Sequence, residues 1–365
     1  MTWKEELRHN ISTIKQLKRY ISLTPKQERQ FKKIIEKHPM SITRYYMSLI
    51  DKNDPNDPIR KMVFPSVKEL DLSGSYDPSG EIEVTRIQGL QHKYEPTALI
   101  LSTNRCTAYC RYCFRKRLVG IPNEEIIKKF NQAVNYIKKH KEITNVLISG
   151  GDPFTLPSKV IKNFLKKLSG ISHLYFIRFG TKIPVIFPDR IIEDKELLSI
   201  LKKYSRPDRR IYISTQFNHP RELTRKAIRA VNKLIRRSII INNQTVLLKG
   251  VNDDPDVLAE LLNKLSGIGV IPYYIFQCRP VKRVKHNFQV PLARGYRIIE
   301  RAKRRLNGHS KRFRYVMSHR TGKIEIVGIS NNHIYFKYHE ARNSRNYGRF
   351  FKKRLNEHAG WLDDF

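Results

Sequence analysis

From residue 98 onward the chain alternates short apolar segments with amphipathic ones, and this alternation limits its fold more than any other feature of its 365 residues. Strands are expected at 98–103, 145–149, 174–179, 211–216, 244–248 and 270–276, and helices near 123–140, 157–168, 194–204, 221–236, 255–266 and 291–306. Parallel neighbours need crossover connections, so β-then-α units of this length imply a parallel sheet, and right-handed crossovers curl such a sheet toward a barrel. The pattern alone does not separate a barrel from an open α/β sheet.

Ahead of this core, Trp3, Leu7, Ile11, Ile14, Leu17 and Ile21 recur every three or four residues, the stripe of one amphipathic helix. Thr24-Pro25-Lys26-Gln27 reads as a capping box opening a second helix over Phe31, Ile34 and Ile35. Asn-Asp-Pro occurs twice between Asp51 and Pro58, and Asp71 to Gly80 is turn-rich, which predicts a connector. The expected divisions are a helical region at 1–64, a connector at 65–97, a catalytic core at 98–310 and a basic, aromatic C-terminal segment at 311–365 with a strand at 334–338.

No apolar run approaches the ~20 residues of a membrane span, and the first residues are polar, so a soluble cytoplasmic protein with no membrane partner is expected. The net charge of +38, from 71 basic and 33 acidic residues, raises the question of nucleic acid. The basic residues are spread over most expected helices, as in Lys128 and Lys129 or Lys166 and Lys167, and the aromatic residues fall within apolar strands. That distribution describes solvated helix faces more than a nucleic-acid platform.

Three of the four cysteines, Cys106, Cys110 and Cys113, lie within eight residues directly after the first expected core strand, and Cys278 is far away. Thiolates are the usual ligands of iron–sulfur clusters, and three of them leave one iron of a [4Fe–4S] cube without a protein ligand, an open catalytic position. The competing reading is a structural zinc site completed by Cys278, against which stands the lack of a second paired-cysteine knuckle. Clustered thiols also suit a reducing compartment.

The context Cys106-Thr-Ala-Tyr-Cys110-Arg-Tyr-Cys113 resembles the radical S-adenosylmethionine (SAM) enzymes. Ser48-Leu-Ile-Asp51 to Ile59-Arg-Lys61, Arg115-Lys-Arg117, Ser149-Gly-Gly-Asp152, Asn218-His-Pro220 and Asn243-Gln244 to Gly250-Val-Asn-Asp253 resemble the lysine 2,3-aminomutase family in order and spacing, from about Trp3 to about Val327. The resemblance implies a partial six-stranded (β/α) radical SAM barrel with an N-terminal helical extension. It implies an isomerase that moves an α-amino group to the β-carbon by means of a 5′-deoxyadenosyl radical. Its cofactors would be a [4Fe–4S] cluster, SAM and pyridoxal 5′-phosphate (PLP); its partners an amino acid substrate, an electron donor such as flavodoxin or ferredoxin, and further copies of the chain.

Residue by residue, the resemblance assigns the cluster to Cys106, Cys110 and Cys113, and SAM to Gly150, Gly151, Asp152 and Gln244. Gln216 stands where the family has a SAM-facing histidine; His219 matches its segment without that role. Lys323 aligns with the lysine that holds PLP. It follows Gly322 and opens an alternating apolar run, a setting in which desolvation frees the amine. Arg115 matches the arginine that grips the substrate α-carboxylate, a group a planar guanidinium suits. Asp254 and a tail without cysteine replace the zinc ligands of zinc-binding relatives, so no zinc is expected. Arg279 and Ser318 stand where lysine-specific relatives carry two aspartates, which predicts a glutamate-like substrate over lysine. The alternatives are lysine 2,3-aminomutase proper, or radical SAM modification of a protein-bound lysine or an RNA.

Overall fold

The computed structural model describes residues 3–365. Among them twelve strands form one sheet in sequence order: β1 (Thr85–Ile87), β2 (Leu90–Tyr94), β3 (Thr97–Thr103), β4 (Asn145–Gly150), β5 (Phe176–Gly180), β6 (Ile211–Thr215), β7 (Ile240–Leu247), β8 (Ile271–Gln277), β9 (Arg314–His319), β10 (Gly322–Ser330), β11 (His333–Ala341) and β12 (Phe350–Arg354). Every neighbouring pair from β3 to β9 is parallel. The flanking pairs, β1–β2–β3 and β9–β10–β11–β12, are antiparallel. The six expected core strands are thus present in order as β3 to β8, and β9 adds a seventh parallel member. Residues of β2 through β11 line one cavity, so the sheet curves around it, while the strand order does not close it into a barrel.

The crossover helices form because each has an apolar stripe to bury. In Pro255–Gly267, the Asp254 side chain accepts hydrogen bonds from the Asp256 and Val257 amides, Pro255 occupies the first turn, and Leu258, Leu261, Leu262 and Leu265 are buried. Each such side chain contributes about 1.5–3 kcal/mol by leaving water. No helix among the described residues is long and apolar enough to cross a membrane.

Several local expectations change. The N-terminal stripe is not one helix but two short ones, Trp3–Leu7 and Ile14–Leu17, with Ile11 pairing in an antiparallel bridge to Ile42. The chain breaks where Asn10 turns its amide to the Ser41 hydroxyl and the Thr107 carbonyl, and Thr13 restarts the helix with a capping box. Ile11, Leu17 and Ile21 are still buried, so helical spacing here reported burial and not a continuous helix. The helix expected from 123 begins only at Phe130, because Glu125 is drawn into an ion pair with Arg117 and the Ile127 amide bonds to Leu101.

Gln244 lies in the middle of β7, not at its start. Asn243, which reads as a turn residue, is tolerated inside the strand because its side chain bonds both the amide and the carbonyl of Phe217. The C-terminal segment is fuller than expected: residues 334–338 fall inside β11, which pairs with β10 and β12.

Candidate active site

The cysteine loop leaves the C-terminal end of β3, and Ser149-Gly150-Gly151-Asp152 leaves the same end of β4. The two loops are tied together: the Gly151 amide donates to the Thr103 carbonyl at 2.5 Å and the Asp152 amide to the Arg105 carbonyl at 2.7 Å. Gly150 has φ +116°, and a Cβ there would stand 2.4 Å from the Thr103 oxygen; at Gly151 it would stand 2.3 Å from the Arg105 oxygen. Only glycine permits this approach. Asp152 is buried, and its carboxylate accepts from the Phe154 amide (3.0 Å), the Thr181 hydroxyl (2.7 Å) and the Lys182 amide (2.8 Å). Burial pushes its carboxyl up to about 6 against these hydrogen bonds. The aspartate therefore fastens the β4 and β5 loops to each other.

Arg115, Lys116 and Arg117 are not an exposed basic run. Arg115 donates to both oxygens of Glu81, to the Ser149 hydroxyl at 3.1 Å and to the Gly150 carbonyl at 3.2 Å. Arg117 pairs with Glu81 at 3.0 Å and Glu125 at 2.8 Å. Arg111, between two cysteines, pairs with the fully buried Glu69 at 2.5 Å, and Lys116 reaches the same carboxylate at 2.7 Å. Burial would raise the Glu69 carboxyl, but Arg111 and Lys116 outweigh it and hold it at about 2. Two buried carboxylates thus anchor the cation-rich loop that presents the thiols. Glu69→Gln should destabilise the fold by about 3–5 kcal/mol, because it strands two buried cations. Anaerobic urea unfolding at pH 7 measures this, and a loss below about 1 kcal/mol, the scale of a surface pair, contradicts the anchoring role.

Cys106, Cys110 and Cys113 all line the cavity. Burial raises the Cys106 thiol well above its ordinary value, with Asp152, Cys113 and Cys110 adding to the shift. Burial and the neighbouring Cys110 push Cys113 up to about 11. Burial of the Cys106 and Cys113 thiols favours a ligand carrying positive charge, and the three-cysteine donor set fits a [4Fe–4S] cluster with one iron left open. Cys278, buried just after β8, also lines this cavity, but burial and Arg279, not the three cysteines, are what act on its thiol. Cys110→Ala should lose the iron and sulfide that anaerobic reconstitution installs, and Cys278→Ala should retain them. Iron retained in the first variant or lost in the second contradicts this assignment.

Deeper in the cavity, Lys323 on β10 donates to Glu340 on β11 at 2.9 Å, and its amine lies 4.6 Å from the Tyr274 ring and 5.5 Å from the Tyr94 ring. An amine flanked by aromatic rings at the wall of a cavity of about 340 Å³ fits attachment of a flat pyridine cofactor. Gln216 accepts from the Tyr112 hydroxyl at 3.1 Å, and Tyr112 in turn accepts from Lys182 at 2.8 Å and Asn218 at 2.7 Å. The Gln244 amide and Ser318 also line the cavity. His219 lies outside the lining residues and caps the short turn at Pro220–Glu222.

Arg279 reaches the same cavity. Its guanidinium stacks on Phe114 at 3.8 Å, and none of its N–H groups meets an acceptor among the described residues. Burial, relieved in part by Glu81, pulls it down to about 10.

Sequence reasoning missed Glu69, Glu81, Lys93, Tyr94, Arg178 and Glu340. All but Glu69 line the cavity. Lys93 is held by the Ser79 carbonyl at 2.9 Å and the His319 carbonyl at 2.6 Å. These residues lie in segments read as connector, strand interior or tail, and single charges carry no periodic signal. The available hint was a carboxylate, Glu81, directly after a turn-rich run that precedes a cation-rich cysteine loop.

Residues 100–262 match the Radical SAM superfamily. Over 349 residues the chain is 41% identical to a protein of Aquifex aeolicus (strain VF5) provisionally named L-lysine 2,3-aminomutase, covering 95% of this chain and 93% of that one. It is 40% identical to the L-lysine 2,3-aminomutase of Acetoanaerobium sticklandii, over 84% of this chain and 72% of that one. It is 37% identical to the glutamate 2,3-aminomutase of Clostridioides difficile, over 82% and 69%. The names of these relatives are those of isomerases, and the Radical SAM match with this family implies a [4Fe–4S] cluster, SAM and PLP as cofactors. The cysteine loop, the open parallel sheet and this similarity along most of its length place the chain in the lysine 2,3-aminomutase family of radical SAM enzymes.

Proposed function

We propose that this chain is a 2,3-aminomutase for a free amino acid with an acidic side chain, glutamate being the leading candidate. The observation that carries the choice is Arg279, a cavity-facing guanidinium with no hydrogen-bond acceptor among the described residues. Overall identity does not choose, because relatives named for lysine and for glutamate are similarly close, at 40% and 37%. A distal carboxylate pairs with Arg279 in the bidentate manner that a planar guanidinium favours, whereas the ammonium of lysine meets a like charge there.

When bound, the cluster with SAM supplies a 5′-deoxyadenosyl radical and PLP carries the migrating nitrogen. The chain's own residues bind and orient. Lys323 is the attachment point for PLP. Glu340, whose carboxyl Lys323 holds below its usual range against the effect of burial, stays ionised and fixes the direction of the lysine amine. Arg115 has most of its donors engaged by Glu81, Ser149 and Gly150, which leaves one N–H of five for the substrate α-carboxylate. Gln244 and the Gly150–Gly151 backbone offer polar contacts to SAM, and Gln216 stands where only a neutral donor is available. Tyr94, Phe276 and Leu99 wall the cavity against water, which protects a radical from quenching.

The test is mass spectrometry of the anaerobically reconstituted protein with SAM, PLP and a pool of the common amino acids. A β-isomer of glutamate is the expected product. No β-amino acid from any member of the pool, with transfer to a protein or RNA substrate instead, overturns the reading.

A further inference from the structure

We propose that His92, His140 and Glu142 form a divalent-metal site, suited to zinc, separate from the catalytic cavity. One ligand atom from each lies within 4.8 Å of the other two. His92 is on β2, His140 caps the C-terminus of the helix Phe130–Lys139, and Glu142 follows in the loop to β4. The group therefore sits near the N-terminal ends of β3 and β4, away from the cysteine loop at their C-terminal ends.

The three donor atoms are near enough that modest side-chain rotation brings them to the roughly 2.0–2.2 Å zinc distances. The Nε2 of His92 lies 3.0 Å from the Glu95 carbonyl; donation there leaves the Nδ1 lone pair as the ligand atom, which without metal accepts from the Tyr136 hydroxyl at 3.1 Å and exchanges that bond for the metal. A ligating histidine commonly has its other nitrogen pinned to a carbonyl in this way. His140 Nδ1 is 2.7 Å from a Glu142 oxygen, and the two imidazoles meet edge to face at 5.8 Å. Tyr136 stacks on His140 at 4.0 Å and fixes its plane. A metal ion takes the place of the proton between His140 and Glu142; that proton leaves to solvent, or His140 keeps it on Nε2. Two imidazoles and a carboxylate form an intermediate donor set that zinc accepts in four-coordinate geometry, with water completing the shell. The C-terminal end of the ten-residue helix adds negative potential at His140.

The position matters because His92 is followed directly by Lys93 and Tyr94, both of which line the catalytic cavity. A metal linking β2 to the loop before β4 holds that cavity wall. This site shares no residue with the cysteine triplet.

The experiment uses the anaerobically reconstituted holoenzyme, equilibrated with micromolar Zn²⁺, with metal content and zinc-edge X-ray absorption as readouts. The wild type should hold one zinc per chain beside the cluster iron, with nitrogen and oxygen but no sulfur neighbours. His140→Ala and Glu142→Gln, both at solvent-accessible positions, should weaken zinc binding by at least the roughly 10–100-fold that loss of an outer-shell partner costs, without changing iron content. Equal zinc in the wild type and both variants, or zinc with sulfur neighbours, overturns the proposal.

Discussion

Lys323→Ala should abolish turnover while leaving the iron–sulfur content intact. The expected loss exceeds about 10³-fold, or roughly 4 kcal/mol of transition-state stabilisation, because the substitution removes a covalent attachment point for which no neighbour is placed to substitute. The cavity holds two rival amines. Lys182 is committed to Glu222 at 3.0 Å and to Tyr112. Lys93 is the more serious rival, since burial, with Arg279 adding to it, pulls its amine down to about 7, which brings the neutral form within reach at neutral pH. Two backbone carbonyls hold its nitrogen against the wall, whereas Lys323 lies between the Tyr94 and Tyr274 rings. Borohydride reduction in the presence of PLP, followed by peptide mapping, should mark Lys323. A mark on Lys93 or Lys182, or undiminished marking of Lys323→Ala, would refute the assignment.

Arg279→Asp should reverse the preference between glutamate and lysine. At about 4 Å and an effective dielectric near 20, two like charges cost roughly 4 kcal/mol and an opposite pair gains a similar gross amount before desolvation. Half of that is still more than tenfold in kcat/KM, at about 1.4 kcal/mol per factor of ten. Glutamate kcat/KM should therefore fall by more than about tenfold, and that of lysine should rise. Arg279→Gln, which removes the charge without reversing it, should lie between. The nearby Glu81 does not cancel Arg279, because Arg115 and Arg117 already hold its carboxylate, keeping it at about 2 despite burial. Glutamate activity that survives Arg279→Asp removes this arginine from the substrate site.

The β/α core was legible because its signal is repeated: an apolar strand segment such as 98–103 and an amphipathic partner recur along the chain, and β3, Thr97–Thr103, matches that segment to within one residue. The cysteine triplet was legible from spacing alone. What could not be read was set by partners distant in sequence. The stripe from Trp3 to Ile21 has helical spacing, yet Ile42 and Thr107 supply the bonds that break it. β2 is short and half polar, Leu90-Gln-His-Lys-Tyr94, and becomes a strand only by pairing with β1 and β3, so Lys93 and Tyr94 went unseen. Arg115, Lys116 and Arg117 look like a solvated run until Glu69 and Glu81 fold beneath them. Glu340 meets Lys323 only through the register of β10 with β11, which no local pattern encodes.

The most direct test of a radical aminomutase acting on an acidic amino acid is the fate of a β-hydrogen. Anaerobic enzyme with PLP and SAM would be given 3,3-dideuterated glutamate and, separately, 3,3-dideuterated lysine, and the recovered SAM analysed for deuterium in its 5′-methylene. With glutamate, deuterium should enter SAM alongside formation of the β-isomer, and both should vanish in Cys110→Ala and Lys323→Ala. Deuterium transfer from lysine alone, or from neither amino acid, would contradict the account.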